Sequence, residues 1–381
     1  MAIRALAEIN LAAIERNIAV LRGRLRPGTR FCAVVKADAY GHGAAAVATA
    51  ALGAGAEVLG VATAGEARQL RRAGLTAPII VLGALSGQEV GVALAAGAEL
   101  VAWDLRTVTA IQNVVRQVGP ADPVRVHVKL DSGMGRLGTR DPEEGVAAAT
   151  AVLQASPGLQ LAGVMTHFAT ADSDQDFVAR QLETFVPFAD RIRTLAGPDH
   201  RLTVHAANSA ATLLAPESHF DMVRCGIAIY GCDPMNEGPS AHGLEPAMAL
   251  RTYVAAVKRA GPGESAGYGR RFIAGGETWI ATLPLGYADG VRRALTNNCD
   301  VLIAGRRFPL VGTVSMDYIT VDVGPDPAVR RGEQATLLGA DGAERQTAED
   351  LARRIGTINY EVTCGISARV PRIYHRDGVP V

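Results

Sequence analysis

Between residues 30 and 230, short apolar runs alternate with longer helical segments, and the alternation repeats eight times. The runs are Phe31–Val35, Val58–Ala62, Ile79–Leu82, Leu100–Trp103, Val124–Lys129, Leu161–Thr166, Leu202–His205 and Met222–Arg224. They are short and bounded by turn residues, as buried strands require. The Ala-, Arg- and Glu-rich stretches between them have helical length. Eight strands with eight crossovers is the count of a (β/α)8 barrel. An open, doubly wound sheet also alternates, but eight units in roughly 200 residues favour closure. The rhythm changes at the turn-rich stretch 235–243. Beyond it come strand-like runs without long helices between them: Met248–Val257, Thr278–Leu283, Asp300–Ala304, Tyr318–Val323 and Gln334–Leu338, interrupted by one helical segment, Thr347–Ile355. The expectation is an α/β protein with a TIM-type barrel over residues 1–240 and a β-rich domain over 241–381, with the extreme N-terminal residues packing against the latter.

A barrel makes a sharp demand: functional groups should sit just past the C-terminal ends of its strands. Lys36 and Tyr40 follow the first run, Lys129 and Arg136 the fifth, His167 the sixth, Asn208 and Ser209 the seventh, and Arg224, Gly226 and Ile227 the eighth. A lysine at the exit of a buried strand is costly unless it is paired or covalently engaged, although an isolated one more commonly snorkels. Phosphate sites in such barrels form after strands seven and eight, where Ser209 and glycine-exposed amides are suitable donors. An amine and a phosphate cradle in one mouth suggest pyridoxal 5'-phosphate.

Composition sets the remaining bounds. The 381 residues carry 38 basic and 38 acidic side chains, which argues against nucleic acid or an anionic membrane as the main partner. Five scattered cysteines with no C-x-x-C disfavour a disulfide framework or zinc site and suit a reducing cytoplasm. No metal is expected. Residues 1–30 contain neither a signal-peptide core nor a membrane span.

The chain closely resembles the alanine racemases, which are fold-type III pyridoxal-phosphate enzymes. The resemblance rests on Ala33-Val-Val-Lys-Ala-Asp-Ala-Tyr-Gly-His-Gly43, Lys129-Leu-Asp-Ser-Gly-Met-Gly-Arg-Leu-Gly138, Thr166-His-Phe-Ala-Thr-Ala-Asp172, Asn208-Ser209 and Val223-Arg-Cys-Gly-Ile-Ala-Ile-Tyr-Gly231. It continues through Gly267-Tyr-Gly269, Pro284-Leu-Gly-Tyr-Ala-Asp-Gly290, Gly312-Thr-Val-Ser-Met-Asp317, Tyr360-Glu361 and Arg369-Val-Pro-Arg372, in family order over almost the whole chain. It implies that Lys36 is the Schiff-base lysine and one catalytic base, and that Tyr268, supplied by the partner of a homodimer, is the other. Tyr40, Ser209, Gly226, Ile227 and Tyr360 match phosphate binders, and Asn208 and His167 match neighbours of the cofactor. Arg136 matches the residue contacting the cofactor phenolic oxygen and the substrate carboxylate. Arg224 matches the partner of the pyridine nitrogen, Met316 and Asp317 match residues near the carboxylate, and Tyr287 matches one lining the access corridor. The resemblance further implies N-carboxylation of Lys129, which would turn its repulsion with Arg136 into a salt bridge.

The chemistry fits these residue types. Racemisation removes a proton from one face of Cα and returns one to the other, so two bases on opposite faces are required. Free lysine and tyrosine titrate near 10, so such a site needs burial and nearby cations to make both useful at neutral pH. Asp38 and His42 read as stabilisers of the turn after the first strand, His127 as a core histidine, and Met165 and Met222 as packing. The leading expectation is interconversion of L- and D-alanine, supplying D-alanine for peptidoglycan. A racemase of other specificity, such as serine, remains open, because a methylene is worth only about 1–3 kcal/mol in a pocket. A decarboxylase is disfavoured by Arg224, since that chemistry generally uses an acidic partner for the ring nitrogen. A non-enzymatic cofactor carrier is disfavoured by Tyr268, because a carrier needs no second base.

Overall fold

The structure, a computed structural model, describes residues 4–326 and 328–381. The chain divides into two compact units. One holds residues 15–39 and 44–229, and the other holds residues 4–14, 40–43 and 230–381.

The first unit is a closed barrel. Its strands are Arg30–Val34, Val58–Val61, Ile79–Val81, Leu100–Ala102, Val124–Lys129, Leu159–Met165, Thr203–His205 and Met222–Cys225. They pair in parallel in two runs of four, and the eighth pairs with the first. The remaining seams are closed by backbone bonds. Val81 N–H donates to Glu99 O (2.9 Å) and Glu99 N–H to Ile79 O (2.8 Å), while Arg224 N–H donates to Ala207 O (2.9 Å). The strands are buried on both faces, which is why Phe31, Cys32, Ala33 and Val34 form an unbroken apolar run rather than an alternating one. Fully burying a side chain such as Phe31, Leu59 or Ile79 contributes about 1.5–3 kcal/mol. The outer helices start on residues that satisfy their first amides. Thr63 and Glu66 form a capping box, as do Ser86 and Glu89.

The second unit is built on an 11-stranded sheet. The strand Ala5–Asn10 lies third from one end of it, antiparallel to Met248–Tyr253 and parallel to Arg372–Arg376. Its alternating burial matches a strand with one face on the core. The expected single strand Met248–Val257 is two strands. It breaks at Val254 because the first half pairs with Gln334–Asp341 and the second, Ala256–Ala260, with Thr278–Leu283. Strands at Arg306–Val311 and Arg372–Arg376, and the helix Asn359–Cys364, were not anticipated. Thr347 caps its helix rather than opening it, accepting from Asp350 N–H at 3.2 Å. No helix among the described residues is long and apolar enough to cross a membrane.

Candidate active site

Lys36 stands immediately past the first barrel strand, at the start of an uncommon turn. Ala37, Asp38 and Ala39 all have φ between 52 and 55° with ψ near 50°, so this is a left-handed helical turn made without glycine. Each such residue costs roughly 1–2 kcal/mol. The surroundings hold it in place. Ala37 N–H donates to Glu66 Oε1 (2.7 Å), so the helix-capping glutamate also clamps this turn. Asp38 Oδ1 accepts from Ala44 N–H (2.8 Å), which is the turn-stabilising role expected of it. Tyr40 and His42 group with the second unit, where the Tyr40 ring lies 4.9 Å from that of Tyr230 and 6.0 Å from that of Tyr360. His42 stacks on Tyr230 and its Nδ1 lies 3.0 Å from Tyr40 O.

The other strand ends of the barrel bring cations toward Lys36. Lys129 is buried at the end of the fifth strand. Burial, then the charges of Arg224 and Arg136, push its amine down to about 8. Asp131 opposes this, and Lys36 adds to the repulsion. Arg136 lies on the exposed loop that follows, which folds around Asp131. That carboxylate accepts from the N–H groups of Gly133 (3.1 Å) and Gly135 (2.9 Å). Arg224 is buried, with its Nη2 near Thr166 O (2.9 Å), Ala206 O (3.0 Å) and His167 Nδ1 (3.1 Å), and its Nη1 near His205 Nδ1 (3.0 Å). Burial pushes the guanidinium down to about 10, where it is still charged at neutral pH. Burial and the Arg224 charge hold both His167 and His205 well below the usual histidine range. An arginine only donates, so both imidazoles accept at Nδ1 and carry their proton at Nε2. Asn208 caps the short helix after the seventh strand, and Ser209 Oγ, also buried, accepts from Gly226 N–H at 2.9 Å. Ile227 follows in the same turn. His205 was not among the residues picked out from the sequence. Its position at the exit of the seventh strand was the available signal.

In the second unit, Tyr268, Tyr287, Arg293, Thr313, Met316 and Asp317 line a cleft of about 510 Å³. Tyr268 is 75 % exposed, and the positive φ of Gly267 and Gly269 turns the chain on either side of it. Thr313 Oγ1 donates to Tyr268 O at 2.6 Å and fixes that turn. The loops carrying Tyr287 and Met316 are joined by Tyr287 N–H to Ser315 O (2.9 Å) and Ala288 N–H to Met316 O (3.1 Å). Beneath them the fully buried Asp289 accepts from Arg4 Nη1 (3.0 Å), Arg369 Nε (2.9 Å) and Gly286 N–H (2.9 Å), while Arg369 Nη2 also reaches Asp317 Oδ1 (2.6 Å). The cysteines offer no competing nucleophile at the barrel mouth, because burial pushes Cys32 and Cys225 up to about 12.

The barrel fold, its cationic mouth and the β-rich unit define an enzyme of the amino-acid racemase class. Residues 9–234 match the family profile "Alanine racemase, N-terminal domain" and residues 247–374 "Alanine racemase, C-terminal domain". The alanine racemase of Symbiobacterium thermophilum is 43 % identical over 97 % of this chain and 96 % of its own. That of Nostoc is 41 % identical over 97 % and 95 %. The crystal structure of alanine racemase from D-cycloserine-producing Streptomyces lavendulae superposes with a TM-score of 0.92 at 37 % identity, covering 98 % of both chains. That of the Bacillus anthracis enzyme with bound L-Ala-P gives 0.91 at 38 %, covering 100 % of this chain and 97 % of its own. The chain belongs to the alanine racemase family, and its activity is the racemisation of alanine. The serine-racemase, decarboxylase and carrier readings are set aside in its favour.

Proposed function

We propose that the protein interconverts L- and D-alanine by a two-base mechanism using pyridoxal 5'-phosphate, with Lys36 as one base and the partner subunit's Tyr268 as the other. The observation that carries this reading is the mutual influence of Lys36, Lys129, Arg136 and Arg224 at the barrel mouth, an electropositive set suited to an anionic cofactor and an amino-acid carboxylate. Ser209 supports it too. Its oxygen is occupied by Gly226 N–H, which leaves the hydroxyl proton to donate to a phosphate. When bound, the cofactor supplies an electron-withdrawing ring conjugated to the substrate nitrogen, which acidifies the Cα–H.

The remaining roles belong to this chain's residues. Lys36 would hold the cofactor covalently. Ser209, Gly226 and Ile227, together with Tyr40 and Tyr360, would bind its phosphate, with Asn208 supporting the turn. Arg224 would face the ring nitrogen and, being donor-only, would leave it unprotonated. Arg136, with Met316 and Asp317 of the partner subunit, would orient the substrate carboxylate, and Tyr287 would line the access corridor. His167 has its Nδ1 occupied by Arg224, so its Nε2–H is available to donate to the phenolic oxygen of the partner subunit's Tyr268. Lys129, with its depressed pKa, is a nucleophile for carbon dioxide. The carbamate so formed would bear a negative charge beside Arg136. The functional domains are proposed as residues 1–240 and 241–381. The proposed setting is a cytoplasmic homodimer that supplies D-alanine for peptidoglycan.

The test is complementation. Lys36→Ala and Tyr268→Ala chains, each inactive alone, are mixed under exchange conditions. The proposal expects regained activity, because each heterodimer contains one site with both bases. Confirmed heterodimers without activity would overturn the shared site.

A further inference from the structure

A polar thread runs from Arg224 through the barrel to the opposite end. His205 Nε2 lies 2.9 Å from His127 Nδ1, His127 Nε2 lies 2.7 Å from Glu99 Oε2, and Arg125 Nε donates to Glu99 Oε1 at 2.7 Å. His127 sits within the fifth strand and Glu99 just before the fourth, so the thread ends on the face away from the mouth. Both histidines and Arg224 are almost wholly buried. Barrel interiors are normally filled by branched apolar side chains, and buried polar groups are costly unless fully bonded. The wall is also shaped to admit this thread. A Cβ on Gly163 would collide with His127 Nδ1 and with the Thr203 carbonyl.

The direction of every bond is set by its two ends. Arg224 can only donate, so His205 Nδ1 must accept and His205 carries its proton on Nε2. That proton is given to His127 Nδ1, so His127 carries its own proton on Nε2 and gives it to Glu99. A doubly protonated His127 would leave His205 with no proton on either nitrogen, which neutral imidazole chemistry does not allow. The perpendicular rings, 89° apart, let His205 direct its N–H at the His127 lone pair.

We propose that Glu99, His127 and His205 form a tautomer-locked chain whose task is to position Arg224, with Arg224 setting the direction of every bond and Glu99 as the remote anchor that accepts the last proton. The functional part of this rests on the reading of Arg224 as the group facing the cofactor ring, whereas the tautomer assignment stands without it. Consistently, Glu99 is kept ionised. Burial acts to raise its pKa, but the hydrogen bond from His127 and the charge and hydrogen bond of Arg125 lower it on balance. Chains of this kind strengthen one another's bonds, so the carboxylate makes His205 Nδ1 a better acceptor for the guanidinium.

The test uses holoenzyme with ¹⁵N-labelled histidine and long-range ¹⁵N–¹H correlation, which reports the tautomer of each ring directly. Wild type should show His205 and His127 both protonated at Nε2 only. Glu99→Leu removes the anchor. Arg224 still holds both tautomers, but the His127 Nε2–H loses its acceptor, so its proton signal should move upfield, and kcat should fall roughly 10-fold with little change in KM. Glu99→Gln can still accept from His127 by presenting its amide to the half-exposed Arg125, so it should restore the downfield His127 proton signal and most of kcat. Arg125→Met is the structural control. It breaks the ion pair with Glu99 but should leave tautomers and kcat unchanged, whatever it does to stability. Either histidine protonated at Nδ1 in wild type, or an unchanged His127 Nε2–H proton signal in Glu99→Leu, would overturn the chain. A shifted His127 proton signal with unchanged kcat would instead overturn the link to Arg224 and leave racemase activity intact.

Discussion

The left-handed turn after Lys36 makes a prediction of unusual sign: glycine at position 37 should stabilise the protein. Ala37 has φ 52° and ψ 49°, its side chain is exposed, and its methyl adds little packing. Removing the left-handed penalty gains about 1–2 kcal/mol. The extra freedom of glycine in the unfolded chain costs about 0.5–1 kcal/mol. The net gain is centred on about 0.75 kcal/mol, within about 0–1.5 kcal/mol. For a unit of this size that raises Tm by roughly 1–4 °C. Ala37→Val goes the other way, because a β-branched side chain is poorly tolerated at positive φ, and should lower Tm by several degrees. Thermal melts of wild type and both variants, at one protein concentration and with equal cofactor loading, read the difference. If strain here serves to aim Lys36, Ala37→Gly should also lose activity while it gains stability. A Tm for Ala37→Gly equal to or below that of wild type would refute the reasoning, since it would mean the turn carries no relievable strain.

Two further outcomes follow from the site. Lys129 is held below its unfolded pKa, so between about pH 8 and 10.5 the native state binds fewer protons than the unfolded one. Its destabilising contribution is therefore complete below pH 8 and is relieved as pH rises through that window. Melts in carbon-dioxide-free buffer should show stability rising with pH more steeply in wild type than in Lys129→Gln, and bicarbonate should flatten the wild-type profile. Parallel profiles would contradict this. Asp289→Asn replaces one acceptor oxygen with a donor facing Arg4, Arg369 or Gly286, and so loosens the loops that carry Tyr287 and Met316–Asp317. Steady-state assays should show KM for alanine raised several-fold with a smaller change in kcat, and an unchanged KM would count against this support.

The barrel was readable because its strands are buried on both faces and its candidate site residues fall where such strands end. Val124–Lys129 and Thr278–Leu283 have the expected bounds, since turn residues flank them on both sides. Arg306–Val311 was missed because two arginines and a proline hide its pattern, and Met248–Val257 was merged because the change of sheet partner is not a local property. Lys36 and Arg224 stand where the sequence puts them, just past the first barrel strand and within the eighth. The left-handed turn was not, because alanine gives no signal for positive φ and Glu66, which clamps it, lies on a different helix. The Glu99–His127–His205 thread was also hidden. His127 read as a core histidine, and only barrel closure brings residues 99, 127 and 205 into one chain.

The most direct test of the two-base account is the fate of the α-proton. Holoenzyme is given L-alanine in D₂O, the reaction is stopped at low conversion, and the enantiomers are separated by chiral chromatography and weighed by mass spectrometry. With Lys36 and Tyr268 on opposite faces, the newly formed D-alanine should carry deuterium at Cα while the remaining L-alanine keeps its proton. D-alanine that retains the substrate's own proton would show a single base acting on both faces, and would contradict the account.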